Sequence, residues 1–522
     1  MPASSEPGST AEIMRFVQEI RSRGVKLWPD AGQLKCEAPR GVLSAVELDS
    51  IRTRKGEIVA MLERVPDSEA VPQAPVPRQP TARVPLTLSQ LLHWHHIKSG
   101  GRLAQRTTAI AVRWRGELNL QLLKESVTHV ILRHEALRTN ITVSNGIPSQ
   151  TVTRVANQGL QVTDSTASAD SDLEHEVSGC ICDALIRPIN LASDPLFEPR
   201  LLSLRANHHV LILATEHMIS DAWSLNLILR DIITTYLQRV DGRTLELPKV
   251  QIQFPDYAVW QAKAHKQWQQ RHGRAWNTRM KGCGVTKFPS PVNREEISGH
   301  RWSSVRVEID KTLKNALLEW CREHRTTLPL CAFAIYAALV LRWCNCTEAV
   351  IQYQAAGRMS SKLENTVGFF ASVLYLRINL RESHTFLDLL AHVMQEFCDA
   401  NLPTDFCHMG TQIPRPELSR NTVFNWIPQA QNLDVVSAAQ GKTPPMTLSP
   451  VSFVNPVLES LELDTEPWIA FVDSVESVVG TLHFQQHRFA KADMERFCHN
   501  YRKRLLILLA EPERRLSEID LS

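Results

Sequence analysis

One histidine in the chain stands where a base would need to stand. The stretch Thr215-Glu216-His217-Met218-Ile219-Ser220-Asp221-Ala222-Trp223-Ser224 follows a continuous apolar run, residues 210–215, and precedes an amphipathic one, residues 222–237. The first run reads as a buried strand and the second as a helix. His217 therefore sits at the mouth of a strand, where a base can be both oriented and reached. A near-neutral imidazole can accept a proton from an incoming amine or alcohol. Asp221, four residues on, can brace the loop that presents the ring. Each has a plainer role open to it: His217 as a hydrogen-bonded structural histidine, Asp221 as the helix N-cap. Glu216 adds a negative charge beside the imidazole, and either holds it or points into structure. Ala222 implies a backbone that needs no positive φ. The chain has no GxSxG elbow and no Cys or Ser in a nucleophile setting, so direct transfer without an acyl-enzyme is expected. His208 and His209 read as surface residues in a turn before the strand.

Strands and helices alternate around this site. Residues 107–115, 304–309, 349–353 and 373–380 read as strands. Residues 120–133, 328–343 and 490–509 read as helices, the first with Leu122, Leu123, Val127 and Val130 on one face. Such alternation predicts α/β lobes, two of them in a chain of 522 residues, which is too long for one ordinary domain. The division expected is 85–250 for the first lobe and 251–522 for the second.

A Pro-rich stretch, 65–84, reads as an extended, semi-rigid linker. Ahead of it, residues 1–64 form a small unit of their own. Residues 11–23 carry helical spacing that Gly24 ends. Residues 25–28 and 33–36 flank a Pro/Asp/Gly turn as a β-hairpin. Ser44 can cap one further helix running to Arg64, with Leu48, Ile51, Ile58 and Leu62 as its apolar stripe. This α-β-β-α unit buries too little core to read as an enzyme and suits an attachment device.

A net charge of +3, from 58 basic and 55 acidic residues, makes no case for nucleic acid. No apolar run reaches the roughly 20 residues of a membrane span, and no signal peptide is evident, so a cytoplasmic protein is expected. The 11 cysteines fit that compartment as free thiols. The Cys180/Cys182 and Cys344/Cys346 pairs lack partners for a metal site, and no metal is expected.

Several blocks, taken together, carry a family resemblance: LSQLLHW at 88–94, RHEALRT at 133–139, the 216–222 segment, FPDYAVW at 254–260, GRMSSKLENTVGFFASVLYLR at 357–377 and SRNTVFN at 419–425. In this order the chain resembles the condensation domains of nonribosomal peptide synthetases, over about 85–515. The resemblance implies two chloramphenicol-acetyltransferase-like lobes in a V-shaped pseudo-dimer, with a tunnel between them. The family's HHxxxDG falls on 216–222. His217 is then the catalytic residue, and Asp221 is structural and paired with Arg358. Glu216 and Ala222 stand where the family has His and Gly. Ser372 replaces the Asn of a GFFVNT-like block, and Asp399-Ala400-Asn401 replaces most of an HQD-like element.

Residues 11–64 resemble the TubC-type β-hairpin docking domain of some synthetase subunits. Such domains receive a short tail from an upstream carrier subunit. Lys26, Trp28, Lys35, Arg40, Arg52, Arg54 and Lys55 would then meet an acidic tail added at a strand edge.

The activity implied is transfer of a carrier-bound acyl thioester to an amine or a hydroxyl, in a chain-transfer or release step that forms an amide or an ester. No cofactor is bound directly; the phosphopantetheine arm belongs to the carrier. No adenylation-like or carrier-like segment is evident. A stand-alone monomer is therefore expected, working in trans with an upstream carrier and a second one bearing the acceptor. The competing readings are a CoA-dependent HxxxD acyltransferase, for which a DFGWG-like block is missing, a non-catalytic docking platform, and an epimerase-like relative.

Overall fold

The computed structural model describes residues 25–30, 33–37, 43–64, 75–79, 83–98, 107–155, 158–166, 169–290, 302–358, 360–381, 384–401, 416–428, 446–451, 465–474 and 476–518. The helix expected at 11–23, Arg40, and most of the linker lie outside these residues.

The N-terminal unit contains hairpin strands β1 (Lys26–Asp30) and β2 (Gln33–Glu37), with Trp28 opposite Lys35. The helix expected to run from Ser44 to Arg64 is two helices, α1 (Ala45–Thr53) and α2 (Lys55–Arg64), separated at Arg54. Ser44 caps the first through a full capping box with Glu47. Ile51 and Ile58 are buried while Leu48 is exposed. Leu48 is therefore not part of the apolar stripe.

The first lobe comprises β3 (Val84–Pro85), α3 (Leu88–Lys98), β4 (Thr107–Arg115), α4 (Leu120–Arg133), β5 (Thr139–Ser144), β6 (Ile147–Val152), β7 (Gln161–Asp164), α5 (Asp170–Ile186), β8 (Phe197–Arg205), β9 (His208–Glu216) and α6 (Ala222–Val240), and α7 (Phe254–Arg279) follows, its start packed in the first core and its end paired through Arg279 with Glu396 of the second lobe. The second contains β10 (Trp302–Ile309), α8 (Lys311–Glu323), α9 (Leu328–Trp343), β11 (Glu348–Ala355), β12 (Ser372–Asn379), α10 (Phe386–Asn401), β13 (Val423–Pro428), β14 (Thr447–Pro450), β15 (Trp468–Asp473), β16 (Val478–Gln485) and α11 (Lys491–Ala510).

Among the described residues the main sheets run β14-β4-β9-β8-β7 and β10-β16-β15-β13-β11-β12. β9 lies between two strands and is buried along nearly all its length, which is why it reads as an unbroken apolar run. His208 and His209 belong to this strand rather than to a turn, and His209 is buried. Their polarity hides the strand's start. The other long apolar segment, α9, is buried continuously from Leu330 to Leu341 and forms the centre of the second core. Among the described residues no single helix is long and apolar enough to cross a membrane.

Two features tie the lobes together. Strand β14, far along the chain, pairs antiparallel with β4 and completes the first sheet. Ile252, just before α7, and Phe254 and Tyr257 at its start sit in the first core with Leu363, Val367 and Phe370 from the segment before β12. The stretch expected to be a semi-rigid linker is partly docked. Arg78 pairs with Glu135 and Asp256 at 2.8 and 2.7 Å, and Val84–Pro85 pairs with β6. Proline content predicts stiffness but says nothing of side chains that anchor the segment.

Candidate active site

β9 ends at Glu216, whose backbone N–H donates to Leu196 O at 2.8 Å. A tight turn follows, with Ile219 N–H donating to Glu216 O at 3.1 Å. The turn lifts His217 out of the strand. Its ring is half-buried, while Met218, Ile219 and Ser220 are buried beneath it. His217 Nδ1 lies 2.6 Å from the Ser220 carbonyl oxygen. A carbonyl only accepts, so Nδ1 carries the proton and donates it, and the lone pair resides on Nε2. The ring packs on Phe369 with centroids 4.2 Å apart.

Asp221 follows as the N-cap of α6, accepting from Ser224 N–H at 2.8 Å. The carboxylate also accepts from both terminal nitrogens of Arg358, at 3.0 and 3.1 Å, and from the backbone N–H groups of Phe370 and Ala371 at 3.0 and 3.1 Å. Burial opposes the charged form of Asp221, but the Arg358 guanidinium and the bonds from Ser224 outweigh it and hold the carboxyl below its ordinary range. The side chains of this pair are 3% and 2% exposed, so it is a true buried ion pair. Both roles open to Asp221 from the sequence thus coexist: it caps a helix and bonds across the lobes.

The residues around Arg358 explain the rest of its block. Gly357 has φ +67°, and a Cβ there would lie 2.0 Å from the Phe370 carbonyl oxygen. Only glycine allows Arg358 to turn toward Asp221 at this point. Gly368 is pressed against Phe254, whose ring would be 2.1 Å from a Cβ. Ser224 Oγ accepts from Arg358 at 2.8 Å and from Gly368 N–H at 3.0 Å, and lies 2.8 Å from Gly368 O. Ala222 is exposed at the first turn of α6 and has no positive φ.

Glu216 is fully buried and is bonded to His93, its Oε1 lying 2.9 Å from His93 Nε2. The His93 ring lies edge-on to His217 with centroids 6.2 Å apart. Sequence reasoning misses His93, Phe369 and Ser224. Each lies in or beside a family block, but nothing in the spacing shows that α3 crosses under the end of β9. RHEALRT builds a separate support. Asp231 of α6 accepts from Arg133 and Arg230 and lies 3.0 Å from His134 Nε2. Burial drives the His134 imidazole toward its neutral form despite Asp231. Ser372 opens β12 and is buried, and Asp399 lies on α10 bonded to Gln395.

Residues 81–522 match the condensation domain family. This chain belongs to that family. Residues 13–64 match the TubC N-terminal docking domain. The chain is 23% identical over 446 residues to one subunit of the linear gramicidin synthase of Brevibacillus parabrevis, covering 84% of this chain and 9% of that protein. It is 24% identical over 411 residues to surfactin synthase subunit 1 of Bacillus subtilis, covering 78% and 11%. The chain thus spans about a tenth of the length of these relatives. The X-domain from teicoplanin biosynthesis superposes with a TM-score of 0.68 at 22% identity, over 85% of this chain and 99% of that one. The EpoB cyclization-docking bidomain from Sorangium cellulosum superposes with a TM-score of 0.68 at 18% identity, over 96% and 99%. The fold is that of condensation domains, with chloramphenicol-acetyltransferase-like lobes and a docking domain at the N-terminus.

In the docking domain Lys35, Arg52 and Lys55 are exposed and Arg54 is half-buried. Lys26 and Trp28 lie on β1.

Proposed function

We propose that this condensation domain transfers a carrier-bound acyl thioester to an amine or hydroxyl, with His217 as its base. The observation that carries this reading is the tautomer of His217: Nδ1–H donates to Ser220 O, which places the basic lone pair on Nε2 of a half-buried ring. In the reaction the nucleophile's N–H or O–H faces Nε2. As its lone pair attacks the thioester carbonyl carbon, the proton passes to Nε2. The C–S bond then breaks, and the thiolate leaves on the carrier's arm and takes the proton back. An amine that is already neutral needs little help, and a hydroxyl needs more. A positioned base supplies about 10²–10⁴-fold. Holding two tethered reactants together adds further rate.

Asp221 and Arg358 position the loop rather than touch substrate. The exposed Lys35, Arg52 and Lys55 of the docking domain suit an acidic tail from an upstream carrier subunit, added at the edge of the hairpin.

The test is intact-mass analysis of a loaded carrier from the same assembly line, with candidate amines and alcohols offered. His217→Ala should cut acyl transfer by about 10²–10⁴-fold. Undiminished cellular function in that variant would replace the enzyme by a recruitment platform.

A further inference from the structure

Gly368-Phe369-Phe370 sets two aromatic side chains next to each other, and the fold uses them differently. Phe370 turns into the first core, where its ring meets Phe254 and Tyr257 with centroids 5.0 and 4.8 Å away. Phe369 stays half-buried and covers the face of the His217 ring. The two centroids are 4.2 Å apart and the planes 31° from parallel, so the rings meet nearly face to face. Both sides of this contact are held by hydrogen bonds. Beneath the turn that carries His217, Gln90 Nε2 donates to Met218 O at 2.7 Å, and the imidazole Nδ1–H donates to Ser220 O at 2.6 Å. Around Phe369, Ser224 Oγ accepts from Gly368 N–H at 3.0 Å, and Asp221 accepts from Phe370 and Ala371 N–H at 3.0 and 3.1 Å. The bonds on either side of Phe369 seat its ring on the imidazole.

We propose that Phe369 is a positioning residue for the base, whose π face stabilises the imidazolium that His217 becomes when Nε2 takes the nucleophile's proton. An aromatic ring carries negative charge on its face and attracts a cation within about 6 Å of its centroid. A neutral imidazole feels little of this field, whereas a protonated one brings a full positive charge into it. The attraction is therefore stronger after proton transfer than before, which is the condition for raising kcat rather than only tightening the ground state. As the nucleophile's bond to the thioester carbon forms, its proton passes to Nε2 and the ring turns cationic beside Phe369. As the C–S bond breaks, the proton passes to the thiolate and the ring is neutral again. A leucine at this position would offer the same apolar contact without the π face.

This inference rests on the acyl-transfer reading, and its test separates the two. A graded series of ring-fluorinated phenylalanines, from monofluoro to pentafluoro, is placed at position 369 of the full chain. Each fluorine draws electron density from the ring face and changes its size little. The NMR titration midpoint of the His217 ring, assigned by its loss in His217→Ala, should fall along the series, by about half a pH unit or more at its end. The charged and titratable groups about the turn, Glu216, His93, Asp221 and Arg358, are the same in every variant, so the trend reports the π face. The titration is read without substrate, so a contact between Phe369 and the acyl chain cannot imitate it. At a pH above that midpoint, kcat should fall in the same order, about threefold or more at the pentafluoro ring, with KM for the thioester within about twofold. Phe369→Leu should lower the midpoint as well, and Phe369→Tyr, which keeps the π face, should leave it in place. The lightly fluorinated rings carry the trend should the pentafluoro ring prevent folding. A midpoint that stays flat along the series in folded protein would overturn the proposal, whatever the activity does. Full activity in His217→Ala would instead overturn the acyl-transfer reading and leave the titration to judge the ring contact by itself.

Discussion

At the residue scale, Asp221 accepts from the backbone of Ser224, Phe370 and Ala371 and from two nitrogens of Arg358. Taking away the guanidinium leaves a buried carboxylate with its backbone donors alone. Arg358→Ala should therefore lower the unfolding free energy by about 3–5 kcal/mol in urea at neutral pH. The pH dependence has a definite sign. Asp221 binds its proton less readily folded than unfolded. Its contribution is thus fully present above the unfolded carboxyl range, near about pH 4, and is lost as pH falls through the lower folded value. The stability gap between Arg358→Ala and the parent should narrow in that acid range. A gap that stays constant down to the acid transition would count against the assignment.

At the element scale, the site is a crossing of segments rather than a feature of any one. Strand β9 and helix α6 supply His217 and Asp221, the loop between β11 and β12 supplies Arg358 and Phe369, and α3 supplies Gln90 and His93. The loop can make this crossing because Gly357 lies at positive φ against the Phe370 carbonyl. Gly357→Ala carries both the φ strain, about 1–3 kcal/mol, and the clash. It should lower the melting temperature and the turnover together, read by calorimetry and by the carrier assay. The anchoring of residues 75–79 makes a second prediction. Arg78→Ala removes both ion pairs at once and leaves Glu135 and Asp256 facing each other's charge. It should speed proteolysis within 65–82 severalfold while leaving turnover of a small thioester mimic within about twofold.

On the scale of the whole molecule, the two proposed functions are separated along the chain. The docking domain carries its exposed cations at one end, and the candidate base lies in the body. An ion pair from Arg325 to Glu47, at 3.3 Å, joins the two, with Arg325 half exposed. With Arg325 half exposed the pair is partly screened by solvent and salt, so delivery and chemistry should be separable. Arg52→Glu/Lys55→Glu should raise KM for a carrier bearing its natural tail at least tenfold, more so at low salt. Turnover of a small thioester mimic should stay within about twofold. Equal loss of both would contradict the docking role.

How much of this is legible in the sequence follows from what each signal depends on. Buried strand β9, amphipathic α4 and fully apolar α9 are readable because burial on one or on all sides leaves its period in the sequence. His217 and Asp221 are readable because they sit at the junction of two such periods, and Arg358 through the resemblance of its block. The start of β9 at His208 escapes such reading because local polarity mimics a loop where tertiary contacts hold a polar residue in place, and the break at Arg54 escapes it because helical residues continue on both sides. The pairing of His93 with Glu216, the insertion of β14 beside β4 and the fit of Gly357 under Phe370 join residues far apart in the chain. No local period records such contacts. They exist only once the two cores close and bring these segments within bonding distance.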